Sequence, residues 1–326
     1  MLAADPGATP AHRPALWAAL AAVLPGLEVR FLAVAAGGAL VGGMPVLLER
    51  RAGFHWLHAL PFMLPGAPLA RPGAHAAVDA AAAVSFRALQ RDLGVVGGEW
   101  SLYRPGGPLP AADVLEAVAG ETRWFEAAAV DLGTGPDAAW SRVDRKTRQD
   151  VRRARARLAC AEEPGALDEA YALHVAQSRA WRAHRPLPLE LSRRLLGDGG
   201  DGLGPVARLF TVRQGGALLC ATLALDHPRE VMPWWSGADP GARRLHAFPL
   251  LLWSVVEWAH RAGRARVNLG ASAGSGPVAS FKDSLGGRPE RYPVRWLDAS
   301  AASAPGRALA ALQGRVRAGR PRGETS

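Results

Sequence analysis

One segment constrains the fold more than any other: residues 248–262 are apolar on nearly every face of a helix and end at Gly263. A helix that is apolar all round has to be buried against other elements. It lies between two strand-like runs, residues 231–236 and 267–269. If the helix is the crossover that joins them, the two strands are parallel neighbours in one sheet. The segment therefore predicts a helix packed on a partly parallel sheet.

The strands before this helix follow an antiparallel pattern. Residues 206–213 and 217–225 flank a Gln-Gly-Gly turn, which is typical of a β-hairpin. A short helix over residues 277–285 and a last strand over residues 292–296 follow the crossover. We therefore expect a mixed α/β (α+β) domain over residues 136–300.

Residues 1–135 are expected to form an N-terminal α/β lobe. The predicted elements are a helix over residues 16–24, a hairpin within residues 29–48, an Ala-rich helix over residues 74–93, and strands over residues 99–103 and 124–132. Residues 31–48 carry no charge and could just span a bilayer. The Gly37-Gly38 pair between two β-like runs favours a hairpin instead. Residues 301–326 are expected to form a basic, flexible tail.

The charge balance favours anionic partners. Lys and Arg number 39 against 29 Asp and Glu, a formal net charge of +10, which attracts phosphates, carboxylates, nucleic acids or a membrane surface. Two cysteines exclude a disulfide scaffold. The nine histidines are scattered without ligand spacing, so we expect no metal site. The N-terminus shows no secretory pattern, so we expect a cytoplasmic protein without stable membrane insertion.

Residues 136–158 predict one helix with two distinct faces. An apolar stripe at helical spacing packs inward, and a row of arginines runs beside it: Arg145, Arg148, Arg152 and Arg155. Like charges stacked at this spacing repel one another unless an anion or acidic groups compensate. Two interpretations stay open, an anion-binding face and a solvated surface.

Four stretches resemble one protein family when they are taken together and in order. They are Asp144-Arg-Lys-Thr-Arg148, Trp235-Ser-Gly-Ala-Asp239, Glu257-Trp-Ala-His-Arg-Ala-Gly263, and Asn268-Leu-Gly270 with Ser280-Phe-Lys-Asp-Ser-Leu-Gly286. The chain resembles the FemAB-like branch of the GNAT (N-acetyltransferase) superfamily over roughly residues 128–296. The resemblance implies two tandem GNAT-like lobes and transfer of an acyl or aminoacyl group to an amine.

The resemblance also implies a donor and an acceptor. The donor is acyl-CoA (acetyl-CoA) or an aminoacyl-tRNA, and the acceptor is an anionic small molecule or a cell-envelope precursor. The glycines of the usual CoA pyrophosphate loop are not matched at Arg243-Arg-Leu-His-Ala247, and no coiled-coil arm typical of tRNA-using members is present. We expect acyl-CoA as the donor. An aminoacyl-tRNA-dependent transferase of peptidoglycan or polysaccharide chemistry and a non-catalytic nucleic-acid or ligand-binding protein stay as alternatives.

The predicted site residues fall into three groups, and the residue types in each group suit the role that we expect for it. The catalytic candidates are Trp235 and Ser236 in the site wall and His246 as general base, with Asp226, Asp239 and Glu257 as competitors for that role. The candidates for donor binding are Arg243 and Arg244 before the buried helix, whose N-terminus favours a phosphate, together with Asn268 and Gly270. The candidates for holding an anionic acceptor are Lys146, Arg148, Arg152 and Lys282.

Overall fold

The computed structural model describes residues 5–51, 53–60, 64–179, 185–272 and 275–297. Two β-sheets carry the fold, each flanked by helices. The predicted tail, residues 301–326, lies outside the described residues.

The smaller sheet lies in the N-terminal third of the chain. Its strands are β1 (Leu27–Ala36), β2 (Ala39–Arg51), β3 (Phe54–His58) and β4 (Leu69–Ala70), all antiparallel, and the helices α1 (Pro14–Val23) and α2 (His75–Asp92) accompany them. The uncharged segment therefore forms the β1–β2 hairpin, with Gly37 and Gly38 at positive φ in its turn, as predicted. Among the described residues, no helix has the length and apolar composition needed to cross a membrane.

The larger sheet has eight strands. They are β5 (Gly98–Ser101), β6 (Glu121–Asp131), β7 (Ala159–Glu162), β8 (Ala207–Gln214), β9 (Ala217–Asp226), β10 (Glu230–Ala238), β11 (Arg266–Ala271) and β12 (Arg288–Leu297). Their order is β5-β12-β6-β11-β10-β9-β8-β7. The mixed α/β class is confirmed. Strands β5 and β6 precede residue 136 and still belong to this sheet, while the division of the chain at that residue stays a prediction.

The remaining helices are α3 (Ala112–Glu116), α4 (Pro136–Arg142), α5 (Arg145–Arg155), α6 (Leu167–Ser178), α7 (Leu189–Leu196), α8 (Ala247–Arg261) and α9 (Gly276–Ser284). The apolar segment forms α8, which connects β10 to β11 and lies in a hydrophobic core with Val231 and Val267. Met232 belongs to a second core, shared with the N-terminal elements. Successive residues of β10 thus face different cores, and the sheet is covered on both sides.

The prediction of one helix over residues 136–158 is wrong, because the chain breaks at Val143. This residue is extended, with φ −68° and ψ 136°, and ends α4. The backbone N–H of Asp144 then donates to the carbonyl of Ser284 at 2.9 Å instead of continuing the helix. Helix α5 starts immediately afterwards, and Val151 and Ala154 form its buried face.

Candidate functional site

Strands β10 and β11 are paired at one end and open at the other. Within these two fully described strands, the parallel ladder holds two residue pairs, Glu230 with Arg266 and Val231 with Val267. On its other side, β10 stays paired with β9 as far as Ala238, with an irregularity after Pro233. Proline is poorly tolerated in a central strand, because it has no backbone N–H to donate to the neighbouring strand. Beyond Val231, the two strands therefore expose backbone polar groups to a gap, which we call the split.

Trp235 lies on β10 beside the split and anchors two helices. Its indole stacks on the imidazole of His174 in α6, with ring centroids 4.9 Å apart. Its Nε1 donates to Ser192 Oγ in α7 at 3.2 Å. Ser236 turns its hydroxyl towards β9, where it donates to Thr222 Oγ1 at 2.9 Å. Both predicted residues therefore have packing or hydrogen-bonding partners within the fold.

Helix α6 approaches β10 very closely. A Cβ built on Gly237 would lie 2.3 Å from the backbone nitrogen of His174, so only glycine fits there. The His174 Nδ1 is 2.8 Å from the carbonyl oxygen of Ser236. His174 was not among the predicted site residues, because nothing in its sequence spacing links it to β10.

A buried polar network lies at the paired end of the split. The carboxylate of Glu230, which is fully buried, accepts from Arg266 Nε at 2.5 Å. Arg266 also donates to the hydroxyl of Tyr103 and to Glu290, the latter at 3.1 Å. Desolvation raises the pKa of Glu230, and the nearby guanidinium of Arg266 opposes that shift. Burial and the charge of Glu230 hold the pKa of Tyr103 well above its usual value.

Asn268 connects this network to the open end. Its Nδ2 lies 3.3 Å from the Tyr103 hydroxyl, and its Oδ1 accepts from the backbone N–H of Gly270 at 2.8 Å. Gly270 has a φ of +78°, a conformation that other residues rarely adopt. Two of the predicted donor-binding residues thus form one hydrogen-bonded turn at the end of β11.

Lys282 closes this turn from α9. Its Nζ donates to the carbonyl oxygens of Gly270 and Ala271, each at 2.8 Å. The side chain is buried, and desolvation lowers the pKa of Lys282 to about 8. The structure therefore brings three predicted residues, Asn268, Gly270 and Lys282, to the same end of the split.

The start of α8 has an unusual backbone. His246 precedes the helix in the left-handed region, at φ 53°, which is costly for a residue with a side chain. Its Nδ1 lies 3.5 Å from Asp150 Oδ2 on α5. Arg243 and Arg244 are exposed in the preceding short 3₁₀ turn. In the sequence Arg243-Arg-Leu-His246, histidine occupies the position where the pyrophosphate loop of the resembled family carries its first glycine.

The predicted acceptor-binding residues on α5 have different surroundings. Arg148 donates from NH1 to three carbonyl oxygens at the end of α4, those of Trp140, Ser141 and Val143, at 3.3, 2.9 and 2.8 Å. Lys146 and Arg152 are exposed, and the guanidinium carbon of Arg152 lies 5.9 Å from the ring centre of Trp140. Over the part of the chain that the structure describes, no three metal-ligating side chains converge.

Comparison with known proteins bears on this arrangement. Residues 141–282 match the family model described as an acetyltransferase (GNAT) domain. This segment contains β10, α8, β11 and Lys282. No curated protein matches the chain.

Solved structures share the fold over most of the chain. FemX superposes with a TM-score of 0.67 at 11% identity, covering 90% of this chain and 93% of FemX. The C-terminal domain of a putative lysylphosphatidylglycerol synthetase from Agrobacterium fabrum gives 0.55 at 14% identity, covering 96% and 95%. A tandem GNAT protein from the clavulanic acid biosynthesis pathway gives 0.54 at 17%, covering 86% of each chain.

Residues 141–282 therefore form a GNAT-type transferase domain, with the split between β10 and β11 at its centre. The fold that surrounds it is that of the tandem GNAT proteins. The overall fold is also that of FemX, in agreement with the FemAB-like fold that the sequence motifs predicted.

Proposed function

We propose that this protein is an N-acyltransferase that moves an acyl group from an acyl-CoA thioester to an amine of an anionic small molecule or cell-envelope precursor. The observation that carries the proposal is the two-pair ladder between β10 and β11, which leaves the rest of β10 open to a ligand. The reaction takes place at this split, on the cytoplasmic side of the envelope.

The transfer exchanges one bond for another. The acceptor nitrogen attacks the carbonyl carbon, a C–N bond forms and the C–S bond breaks. The carbonyl oxygen gains negative charge in between, and backbone N–H groups that face a dry gap stabilise such a charge without reorganising. The acceptor amine gives up a proton, and the departing thiolate takes one. His246 remains the candidate for moving these protons, because an imidazole ring can both accept and donate a proton.

Lys282 supplies positive charge at the open end. Its ammonium group is fixed by the carbonyls of Gly270 and Ala271, so it cannot swing away into solvent. A buried cation holds an anion more strongly than an exposed one, because little water competes for it. We therefore assign Lys282 to binding an anionic group of the acceptor or donor.

The start of α8 fits a phosphate of CoA, although with few donors. The first N–H groups of a helix have no partner within it. Pro249 has no backbone N–H, so the N–H groups of Ala247 and Phe248 are the ones left to donate. The exposed guanidinium groups of Arg243 and Arg244 add positive charge in front of them. CoA, when bound, supplies the activated thioester, and these residues hold its phosphate.

An aminoacyl-tRNA is the second candidate donor, and one observation favours it. Helix α5 presents Arg145, Lys146 and Arg153 to solvent, a basic surface that suits an RNA backbone. The overall fold is also that of FemX. With this donor the bond that breaks is a C–O ester bond.

The experiment is a transfer assay with amine acceptors that carry phosphate or carboxylate groups. Acetyl-CoA and aminoacyl-tRNA are supplied separately, and product is detected by mass spectrometry for the wild type and for Lys282→Met. Turnover with acetyl-CoA that falls at least tenfold in Lys282→Met supports the proposal. Turnover only with aminoacyl-tRNA establishes the second candidate. RNA binding that weakens with salt, without turnover of either donor, overturns both.

A further inference from the structure

A cavity of about 260 Å³ lies outside the split, between α4, α5 and α8. The side chains that line it include Asp137, Trp140, Arg152, Arg155, Trp253 and Glu257. This volume is below the roughly 300–1,000 Å³ of sites that hold whole drug-sized ligands. It therefore suits one part of a larger ligand.

Two tryptophans form the wall of this cavity. The ring centres of Trp140 and Trp253 lie 4.6 Å apart, with 48° between the ring planes. Trp253 is buried and fixed, because its Nε1 donates to Glu257 Oε1 at 2.8 Å. Trp140 is half-buried and lines the cavity.

The charges around the cavity are not all neutralised within the fold. Arg155 NH2 contacts both carboxylate oxygens of Glu257 at 2.8 Å, so these two charges cancel. Arg152 lies over Trp140 and, among the described residues, has no acidic or carbonyl partner. Asp137, on the first turn of α4, likewise has no side-chain hydrogen bond or ion pair within the described ranges. The cavity thus offers one cation and one acceptor beside an aromatic surface.

We infer that this cavity binds the adenine nucleotide part of the acyl donor. Adenine stacks on Trp140, its exocyclic amine donates to Asp137, and a phosphate pairs with Arg152. Stacking on an aromatic side chain is the usual way in which proteins hold an unpaired base. The inference rests on the proposed function, because both candidate donors, acyl-CoA and aminoacyl-tRNA, carry an adenosine phosphate.

The cavity lies within reach of the predicted phosphate position. Trp253 is six residues after Ala247, about 9 Å along α8 at 1.5 Å per residue. The contact of His246 with Asp150 holds α5 beside the start of α8. One nucleotide can therefore place a phosphate at the start of α8 and its base in the cavity.

Calorimetric titration with AMP, UMP and ribose 5-phosphate tests the site without any turnover. We expect AMP to bind about tenfold more tightly than ribose 5-phosphate, since stacking contributes about that much per base. UMP should bind more weakly than AMP, because uracil has no exocyclic amine for Asp137. Equal affinities for AMP and ribose 5-phosphate would overturn the inference.

Variants separate the contacts. Trp140→Ala and Arg152→Gln should each weaken AMP binding about tenfold, whereas Trp140→Phe keeps most of the affinity. Arg157→Gln is the matched control, because Arg157 is exposed just after the same helix and does not line the cavity. Unchanged AMP binding in Arg152→Gln, a surface substitution that should not affect folding, counts against the site.

Kinetics distinguish the two donors and separate the cavity from the activity. Acetyl-pantetheine lacks the nucleotide, so Arg152→Gln should raise the KM for acetyl-CoA and leave that for acetyl-pantetheine unchanged. If the donor is aminoacyl-tRNA, the KM for the RNA rises instead. Turnover without AMP binding refutes the cavity alone, and AMP binding without turnover of any donor refutes the proposed function alone.

Discussion

The side-chain amide of Asn268 lies 3.3 Å from the phenolic oxygen of Tyr103, although 165 positions separate the two residues in the chain. Tyr103 follows β5, and Asn268 lies on β11 just past the last pair of the β10–β11 ladder. Asn268 holds the N–H of Gly270, whose carbonyl accepts from Lys282. The N-terminal part of the chain thus positions the cation at the open end of the split.

Tyr103→Phe should weaken both the fold and the activity. Removal of the hydroxyl leaves Arg266, Asn268 and Glu290 with unmade hydrogen bonds in a buried site, at a cost of about 1–3 kcal/mol of unfolding free energy. We also expect a lower kcat, because the turn whose carbonyls hold the Lys282 ammonium group loses its support. Urea unfolding and steady-state kinetics measure the two effects. Tyr171→Phe, which loses one bond to the carbonyl of Leu187, is the control and should change neither by much.

The activity should depend on the protonation of Lys282. Desolvation lowers the pKa of this ammonium group to about 8, so the positive charge is present below pH 8 and lost above it. If the charge binds a substrate anion, kcat/KM falls as the pH rises through about 8. A pH profile of wild type and Lys282→Gln checks this, and the step should be missing in the variant. A rate that increases above pH 8 would show that the neutral amine acts as a base.

Arg148 and Arg152 should respond differently to the same substitution, although they lie on one helix. Arg148 satisfies three carbonyls at the end of α4, so Arg148→Gln should lower the melting temperature by several degrees. Arg152→Gln should leave it within about one degree, because an exposed arginine contributes little to stability. Thermal unfolding monitored by circular dichroism measures both. Equal, small effects would mean that the Arg148 contacts do not hold α4 in place.

His58 should make the stability depend on alkaline pH. Its ring lies 3.4 Å from the carboxylate of Glu49 on β2 and 2.7 Å from that of Glu99 on β5, so it connects the two sheets. Glu49 also pairs with Arg51. Desolvation lowers the pKa of His58, but the two carboxylates outweigh it and raise the pKa to about 9. The pKa of His58 in the folded protein is above its unfolded value of about 6.5. His58 therefore contributes up to about 3 kcal/mol to the free energy of unfolding below pH 6.5, and most of this contribution is lost by pH 9.

Urea unfolding at pH 6 and pH 9 checks this. The difference in unfolding free energy between the two pH values should disappear in His58→Gln. His55→Gln on the same strand is the control, since the ring of His55 contacts the carbonyl of Leu93 instead of a carboxylate. An equal loss of pH dependence in both variants would contradict the assignment to His58.

Gly237→Ala should destabilise the packing of α6 on the split. The added methyl group would lie 2.3 Å from a backbone nitrogen of α6, and the helix cannot rotate away from it as a side chain could. We expect a loss of about 1–3 kcal/mol, as for other overpacked sites, together with lower activity. Gly165→Ala, which has open space around it, should leave both nearly unchanged. Denaturant midpoints and transfer rates provide the comparison.

Local patterns in the sequence were enough to predict the helix and strands on either side of the split. The all-apolar segment predicted α8 and the parallel neighbours β10 and β11, and glycine pairs located the hairpins. Contacts between distant segments were beyond such patterns. The partnership of Tyr103 with Asn268 depends on how the sheet is threaded, and no spacing in the chain records it.

Some signals were present in the sequence and outweighed by others. The break at Val143 was hidden because the residues on both sides favour a helix. The contacts found there, Asp144 N–H with the carbonyl of Ser284 and Arg148 with the last carbonyls of α4, depend on the folded structure. Pro233 within a predicted strand was a sign of the irregularity in β10. The roles of the predicted site residues stay predictions until the substitutions above are measured.

The position of β12 has a consequence for biosynthesis. This strand pairs with β5 on one edge and β6 on the other, so residues 288–297 join two segments from the first half of the chain within the sheet. Before β12 is synthesised, the strand contacts of the β5 region within the described residues are two isolated bridges next to β3, Trp56 with Gly97 and Ala59 with Trp100. The eight-stranded sheet is thus completed after residue 297 emerges from the exit tunnel, and until then the nascent chain exposes two strand edges that a chaperone could cover.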